Sequence, residues 1–194
     1  RCGEDAYNTP HLVGNAKTMI SRIVDDKGNT ALMHAIKTHQ FKAAAVIINH
    51  LDVAEFTNGN SDGDTALHLA VDQQHLKIVK RILKKLNDWY YPNHQEETPL
   101  TRVALVGNRA IADAILAKVP ADSLVWYIEV KDKSGKNCLL HACENGHFDF
   151  VTHILRKYQA AGLLLEKNDD KTLFSFILEQ QGEQANLLSL LSIK

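Results

Sequence analysis

The 194-residue chain lacks the features of a membrane protein, a secreted disulfide-bonded protein or a nucleic-acid-binding protein. No apolar run approaches the ~18–20 residues of a membrane span, and no signal peptide is visible. The 22 Lys and Arg residues are balanced by 23 Asp and Glu, so no basic excess predicts nucleic-acid binding. Three cysteines, an odd number without metal-ligand spacing, indicate reduced thiols in an intracellular setting.

The motifs of common catalytic and cofactor sites are also missing. The sequence has no GxGxxG, P-loop, GxSxG or HExxH motif. The segment 59–64 (GNSDGD) has the composition of a calcium loop but not its acidic spacing or closing Glu, and it predicts a polar hairpin tip. The ten histidines contain no i,i+4 pair with a third zinc ligand nearby. We therefore expect no enzymatic activity, cofactor or metal.

A unit of two short amphipathic helices is present in the segment 62–83. A Gly-containing turn precedes a first helix with Leu67 and Leu69. A second helix follows, with Ile78 and Ile82 on one face of period 3.6. Helices of under ten residues are not stable alone, because nucleation is costly and little apolar surface is covered. The unit therefore requires neighbours of the same shape.

The same unit recurs along the chain. It is anchored by a Thr or Asn at five positions, which are Thr30, Thr65, Thr98, Asn137 and Thr172. The steps between the anchors are 35, 33, 39 and 35 residues. An apolar pair lies seventeen and eighteen positions after each of the first four anchors. The extra residues of the longest step lie near 120–130, where Pro120 and Leu124 suggest an additional helical turn.

The unit resembles the ankyrin repeat, a β-turn plus two helices with a period near 33 and a Thr-Pro-Leu-His-x-Ala core. The segment 65–70 (TALHLA) matches five of those six positions, and 146–147 matches the Gly-His between the two helices. Met33 and Leu140 depart from the pattern by replacing the His. The resemblance covers roughly residues 24–194. It implies an all-α ankyrin-repeat solenoid of paired antiparallel helices with β-turn or hairpin loops.

We expect residues 1–194 to form a single ankyrin-repeat domain of about five repeats plus an N-terminal half-repeat. The half-repeat, residues 1–23, is interpreted as a cap. The repeats are expected at 24–58, 59–91, 92–130, 131–165 and 166–194, and the last is a divergent C-terminal cap. Since the chain begins with Arg rather than Met, we also expect it to be a fragment of a longer protein.

The resemblance implies structural roles for several polar residues. His68 is expected to tie neighbouring turns together through backbone hydrogen bonds. His75 and His147 are expected to start second helices. Cys138 and Cys143 are expected to be buried structural thiols rather than nucleophiles, because no orienting third group is indicated.

The resemblance also implies a binding surface, since partners of this family usually bind across the turn tips and the inner side of the first helices. The second turn is acidic and adjoins an apolar pair, which predicts a partner with basic residues around an apolar anchor. Alternatively, turn aspartates only accept local backbone hydrogen bonds. The candidate residues carried over are Asp62, Asp64, Asp72, Gln73, His94, Glu97, Leu105, Val106, Lys133, Lys136 and Glu144.

Aromatic residues are concentrated in the two connections that precede the third and fourth turns. Five of them, Trp89, Tyr90, Tyr91, Trp126 and Tyr127, are added to the candidate partner-binding residues because such side chains are preferred interface anchors. The alternative is that they cover helix ends under longer loops. Packing is favoured for Trp126, and partner contact is favoured for Tyr90 and Tyr91.

We expect a monomeric, cytoplasmic protein-protein interaction module that binds an intracellular protein on its concave side, with no nucleic acid and no membrane span. The alternative is a substrate-docking or regulatory arm of a larger enzyme, or of an effector that intracellular bacteria deliver into the host cytosol. A spacer or self-association element is a third hypothesis. A scaffold shared by binders of unrelated targets does not identify the partner.

Overall fold

Short helices in antiparallel pairs are the main elements of the described residues. The computed structural model describes residues 23–158, 167–168 and 171–172. In chain order the helices are α1 (Ala31–Lys37), α2 (Phe41–His50), α3 (Val53–Phe56), α4 (Ala66–Asp72), α5 (Leu76–Lys85), α6 (Pro99–Val106), α7 (Arg109–Leu116), α8 (Leu124–Glu129), α9 (Cys138–Glu144) and α10 (Phe148–Lys157). Two-residue strands, β1 (Lys167–Asn168) and β2 (Lys171–Thr172), pair antiparallel.

The predicted anchors are the N-caps of the first helices α1, α4, α6 and α9. Asn137 accepts a hydrogen bond from the backbone N–H of Leu140 at 3.0 Å, and Thr98 accepts one from Thr101 at 3.2 Å. Such a cap satisfies an otherwise unpaired N–H and stabilises a helix by about 1 kcal/mol. The repeated Thr or Asn is therefore explained by the start of each first helix.

A left-handed residue separates the two helices of each pair, nine positions after the cap. Gly107 and Gly146 hold this position with φ of 68° and 74°. His39 and Gln74 hold it in the first two pairs with φ of 58° and 51°. Because a side chain at such φ costs about 1–2 kcal/mol, the glycines are the less strained choice.

The helices stack in two layers. The first helices contact one another in sequence, α1 with α4, α4 with α6, and α6 with α9. The second helix α5 contacts both α2 and α7. One continuous apolar core runs through the pairs and contains Leu32, Leu67, Leu100 and Leu139, all nearly inaccessible to solvent.

This arrangement confirms the prediction of an all-α solenoid of paired helices. The extra residues of the longest step contain α8, as Pro120 and Leu124 suggested. The expected half-repeat lies outside the described residues except for Ile23, and the expected repeat at 166–194 lies outside them except for β1 and β2. Among the described residues, no helix is both long and apolar enough to cross a bilayer.

Two glycine substitutions separate backbone conformation from packing. A Cβ at Gly107 would lie 2.7 Å from the ring of His147, whereas a Cβ at Gly146 would meet nothing within 4 Å. Both residues have positive φ. We expect Gly146→Ala to lower the free energy of unfolding by about 1–2 kcal/mol. We expect Gly107→Ala to lower it by at least about 1 kcal/mol more, because of overpacking.

Urea denaturation of the two variants measures this difference. Equal losses would show that His147 moves away without cost, and would contradict the tight packing of its ring on Gly107.

Candidate partner-binding surface

An Asn or Asp five residues before each cap shapes the four described turns. These residues are Asp25, Asn60, Asn93 and Asp132. Each side-chain oxygen accepts hydrogen bonds from the backbone N–H groups two and four positions later; for Asn60 the distances are 3.0 and 2.9 Å. Sequence reasoning missed this role, although an Asn or Asp recurs at a fixed distance from every one of these caps.

Backbone hydrogen bonds connect each turn to the next. Ser61 donates to the carbonyl of Lys27, His94 to that of Asp62, and Lys133 to that of Gln95, each at 2.9 Å. Two buried side-chain bonds reinforce this series: Asn60 Nδ2 donates to Asn29 Oδ1 at 3.1 Å, and Asn93 Nδ2 donates to Asp64 Oδ1 at 2.8 Å. The four turns therefore form a connected row.

The ends of these turns point exposed side chains into solvent. We call this set the tip row; it consists of Asp26, Lys27, Ser61, Asp62, His94, Gln95, Lys133 and Ser134. It contains three predicted site residues, Asp62, His94 and Lys133. The ring of His94 also packs against Gly63, and its Nδ1 lies 3.2 Å from the carbonyl oxygen of Ser61. The backbone of the tip row is thus fixed while its side chains remain accessible.

Arg102 pairs with three of the acidic residues that were predicted as partner contacts. Its Nη2 lies 2.7 Å from Asp64, its Nε lies 3.1 Å from Glu97, and its Nη1 lies 3.7 Å from Asp72. Asp64 is buried and also accepts a hydrogen bond from Asn93. The prediction of Asp64 as a partner contact is therefore wrong, and Asp72 and Glu97 are not free acidic surface.

Burial and the nearby cation shift the pKa of Asp72 in opposite directions. Burial raises the pKa of Asp72, while the Arg102 guanidinium acts in the opposite direction. Among the described residues, one cation serves these three carboxylates, so removal of that cation leaves like charges close together. Sequence reasoning missed Arg102 because it lies in α6, one repeat away from Asp64 and Asp72.

The histidines have the structural roles that were expected. His68 is fully buried; its Nδ1 accepts from the backbone N–H of Thr65, and its Nε2 lies 3.2 Å from the carbonyl oxygen of Glu97 in the next turn. Burial lowers the pKa of His68, which favours the neutral ring that the accepting Nδ1 requires. His75 Nδ1 accepts from the backbone N–H of Ile78 at the start of α5. His147 Nε2 lies 3.0 Å from the carbonyl oxygen of Leu105.

The two cysteines among the described residues are buried in the core. Cys138 and Cys143 are buried and unpaired, and burial raises the pKa of both thiols to about 12. Thiolates are therefore rare at neutral pH, which agrees with structural thiols. Within the described ranges, no group of three His, Cys, Asp or Glu side chains is arranged to hold a metal ion.

The inner side of the first helices holds the remaining candidates. Gln73, Leu105 and Val106 are half-buried. Lys136 and Glu144 form a mutual ion pair at 2.7 Å, with about a third of each side chain exposed. These residues lie in or next to the first helices that follow the turns of the tip row.

The two aromatic connections meet in one cluster. The ring of Trp89 lies 5.8 Å from that of Trp126 and 5.2 Å from that of Tyr127, and Tyr90 lies 5.4 Å from Trp126. Tyr127 is 1% exposed, so its prediction as a partner contact is wrong; it belongs to the core. Trp126 packs against Trp89 and Tyr90 yet is 50% exposed, and the half-buried Tyr91 hydroxyl accepts from the backbone N–H of Asp88.

Comparison with known proteins agrees with this geometry. The family model for ankyrin repeats, in three copies, matches residues 9–93. This match supports an ankyrin-repeat family protein. The turn, the paired helices and the His68 bridge between turns are thus the family's features in this ankyrin-repeat chain. Ankyrin repeats generally serve in protein-protein interactions, and the family is typically non-catalytic.

A curated relative extends the similarity beyond the matched segment. The protein named Accelerated Cell Death 6 from Arabidopsis thaliana is 30% identical over 144 residues. The match covers 69% of this ankyrin-repeat chain but 21% of the relative. The chain thus spans about a fifth of the length of this relative.

The third repeat departs from the ankyrin motif but keeps the local cap contact. Thr101 occupies the His position, and its hydroxyl accepts from the backbone N–H of Thr98 as His68 does for Thr65. The shorter side chain preserves the local cap. In the fourth repeat Leu140 stands there, and the neighbouring His141 contacts Asp132 of its own turn at 2.6 Å.

The structural role of Arg102 can be tested by substitution. We expect Arg102→Gln to lower the free energy of unfolding by about 2 kcal/mol, because buried Asp64 loses its cation and three carboxylates repel one another. We expect Lys136→Gln to change it by less than about 0.5 kcal/mol, because its ion pair is exposed. Chemical denaturation at neutral pH measures both, and equal effects would contradict a structural role for Arg102.

Proposed function

We propose that this ankyrin-repeat chain binds a protein partner through the tip row and the adjoining inner side of the first helices. The observation that carries the proposal is the tip row itself. Its backbone is held by hydrogen bonds within and between turns, and its side chains are exposed. A surface that is already ordered pays little conformational entropy on association.

The proposed surface carries charges of both signs. We therefore expect a partner to be recognised by the positions of its complementary charges rather than by its overall charge. Exposed Asp62 is acidic and exposed Lys133 is basic, and they lie two turns apart. Arg102 offsets part of the acidity between them. A partner with a basic group opposite Asp62 and an acidic group opposite Lys133 suits this pattern, because complementary charges fix register and on-rate more than affinity.

The exposed aromatic cluster adds a second contact region to this proposal. Tyr90 and Trp126 present apolar area with a polar atom, which is the composition of interface anchors. We further propose that the chain acts without catalysis, as a cytoplasmic monomer that does not bind nucleic acid. The unreactive buried thiols and the near-zero net charge of −1 support this.

A second candidate is a docking or regulatory arm of a longer protein, which includes an effector delivered into a host cell. The observation in its favour is that the chain spans about a fifth of its curated relative's length. In that case the same tip row presents a substrate to an activity elsewhere. Determination of the full-length sequence distinguishes the two candidates, since an enzyme has catalytic motifs that this stretch lacks.

A charge swap tests the proposed surface. We expect Asp62→Lys combined with Lys133→Glu to weaken partner binding by at least about tenfold. Each new charge would repel the partner group that the original charge attracts. The net charge is unchanged, and thermal unfolding should shift by less than about 2 °C because both residues are exposed. The measurement is crosslinking capture, identification of the retained protein and titration calorimetry with that protein.

The matched control swaps two exposed charges elsewhere, Lys80→Glu on α5 and Asp122→Lys after α7. It should bind the identified partner like the parent chain. Equal loss in both swaps, or unchanged affinity in the tip-row swap, would place the interface on another surface.

A further inference from the structure

An open cleft of about 500 Å³ lies between α7 and α10, the second helices of the third and fourth pairs. Whereas α5 packs closely on both α2 and α7, the backbones of α7 and α10 approach each other less closely. The extra residues of the longest step, which include α8, lie in the connection between these pairs. The cleft is therefore a local departure from the regular stack and is separate from the tip row.

Asp113 connects α7 to side chains of α10 that line the cleft. Its carboxylate on α7 accepts from Lys157 Nζ at 2.8 Å and from the Tyr158 hydroxyl at 2.9 Å, and it lies 2.8 Å from His153 Nε2. Burial alone would raise the pKa of Asp113, but these hydrogen bonds lower it. Two side chains of the cleft wall, His153 and Lys157, are thus held in place across the gap.

The cleft wall is richer in positive than in negative charge. Its charged side chains are Arg109 from α7 and Asp149, Arg156 and Lys157 from α10, with Thr152 and His153 beside them. Three permanent cations therefore face one carboxylate, while the whole chain carries a net charge of −1. Among these side chains and Asp113, three cations accompany two carboxylates; Lys157 is paired with Asp113, and Arg156 also has an interaction partner.

The distribution of these cations matters as much as their number. Arg109 stands on one wall, and Arg156 and Lys157 stand on the other. Guanidinium groups match phosphate oxygens with paired N–H donors, and Lys binds phosphate as a point charge. The volume lies within the ~300–1,000 Å³ of small-molecule sites. Asp149 is exposed, so it can turn to solvent when an anion enters.

We propose that this cleft binds a small organic polyphosphate. One phosphate contacts Arg109 on α7, and a second contacts Arg156 and Lys157 on α10. A ligand with phosphates on two sides bridges the walls, whereas a single phosphate reaches one wall. This binding site goes beyond protein recognition at the tip row and involves none of its residues.

Titration calorimetry of the whole 194-residue chain with inositol hexakisphosphate, at physiological ionic strength, tests the proposal. We expect saturable binding of one molecule per chain. Arg109→Gln and Arg156→Gln should each weaken it by about tenfold, since each removes a charge-assisted contact. The matched control is Arg81→Gln on α5, an exposed Arg of another second helix. It should change affinity by less than about twofold, since Arg81 is not among the side chains that line the cleft.

Several results would overturn the proposal. One is the absence of saturable binding by the parent chain. Another is equal weakening by Arg81→Gln, which would indicate diffuse attraction rather than a cleft. A third is tight binding of a phosphoserine peptide without binding of the polyphosphate, which would assign the cleft to a protein ligand. Circular dichroism melts of all variants establish that any loss of binding occurs in folded protein.

Discussion

The structure depends on the inability of any single helix pair to cover its own apolar side chains. The helices of these pairs have seven to ten residues, too few to be stable in isolation. Each pair is therefore stable only when the next one covers it, and the core is continuous from α1 to α10. In such a stack, stability is approximately the sum of each unit's own stability and its contacts with neighbours.

The stacking of neighbouring pairs also orders the turns, and the turns form the proposed binding surface. His68 joins its own cap to the Glu97 carbonyl of the following turn, and Arg102 reaches back from α6 to Asp64. Polar groups that would be costly to bury alone are thus paired across repeats. The turns cannot shift independently of the helices beneath them, so the contacts that hold the stack also fix the spacing of the exposed tip residues.

The sequence predicted the elements that local chemistry determines. The Thr and Asn anchors, and the His68 bridge that the resemblance implied, arise from interactions within or between adjacent units. The errors arose where distant segments meet. Asp64 and Tyr127 were assigned to the surface because their spacing in the sequence does not reveal their contacts. Arg102 pairs with Asp64. Trp89 packs on Tyr127. The cleft beside Arg109 depends on how the long connection separates two helices, which periodicity does not specify.

Amide hydrogen exchange at the backbone N–H groups of Ser61, His94 and Lys133 tests most directly whether the turns belong to the cooperative stack. Each of these groups donates to the preceding turn. The account predicts that they exchange with an opening free energy close to that of core amides in α4 and α6. Exchange at the rate of exposed amides would show that the turns open independently, and would contradict a tip row held in fixed register by the stack.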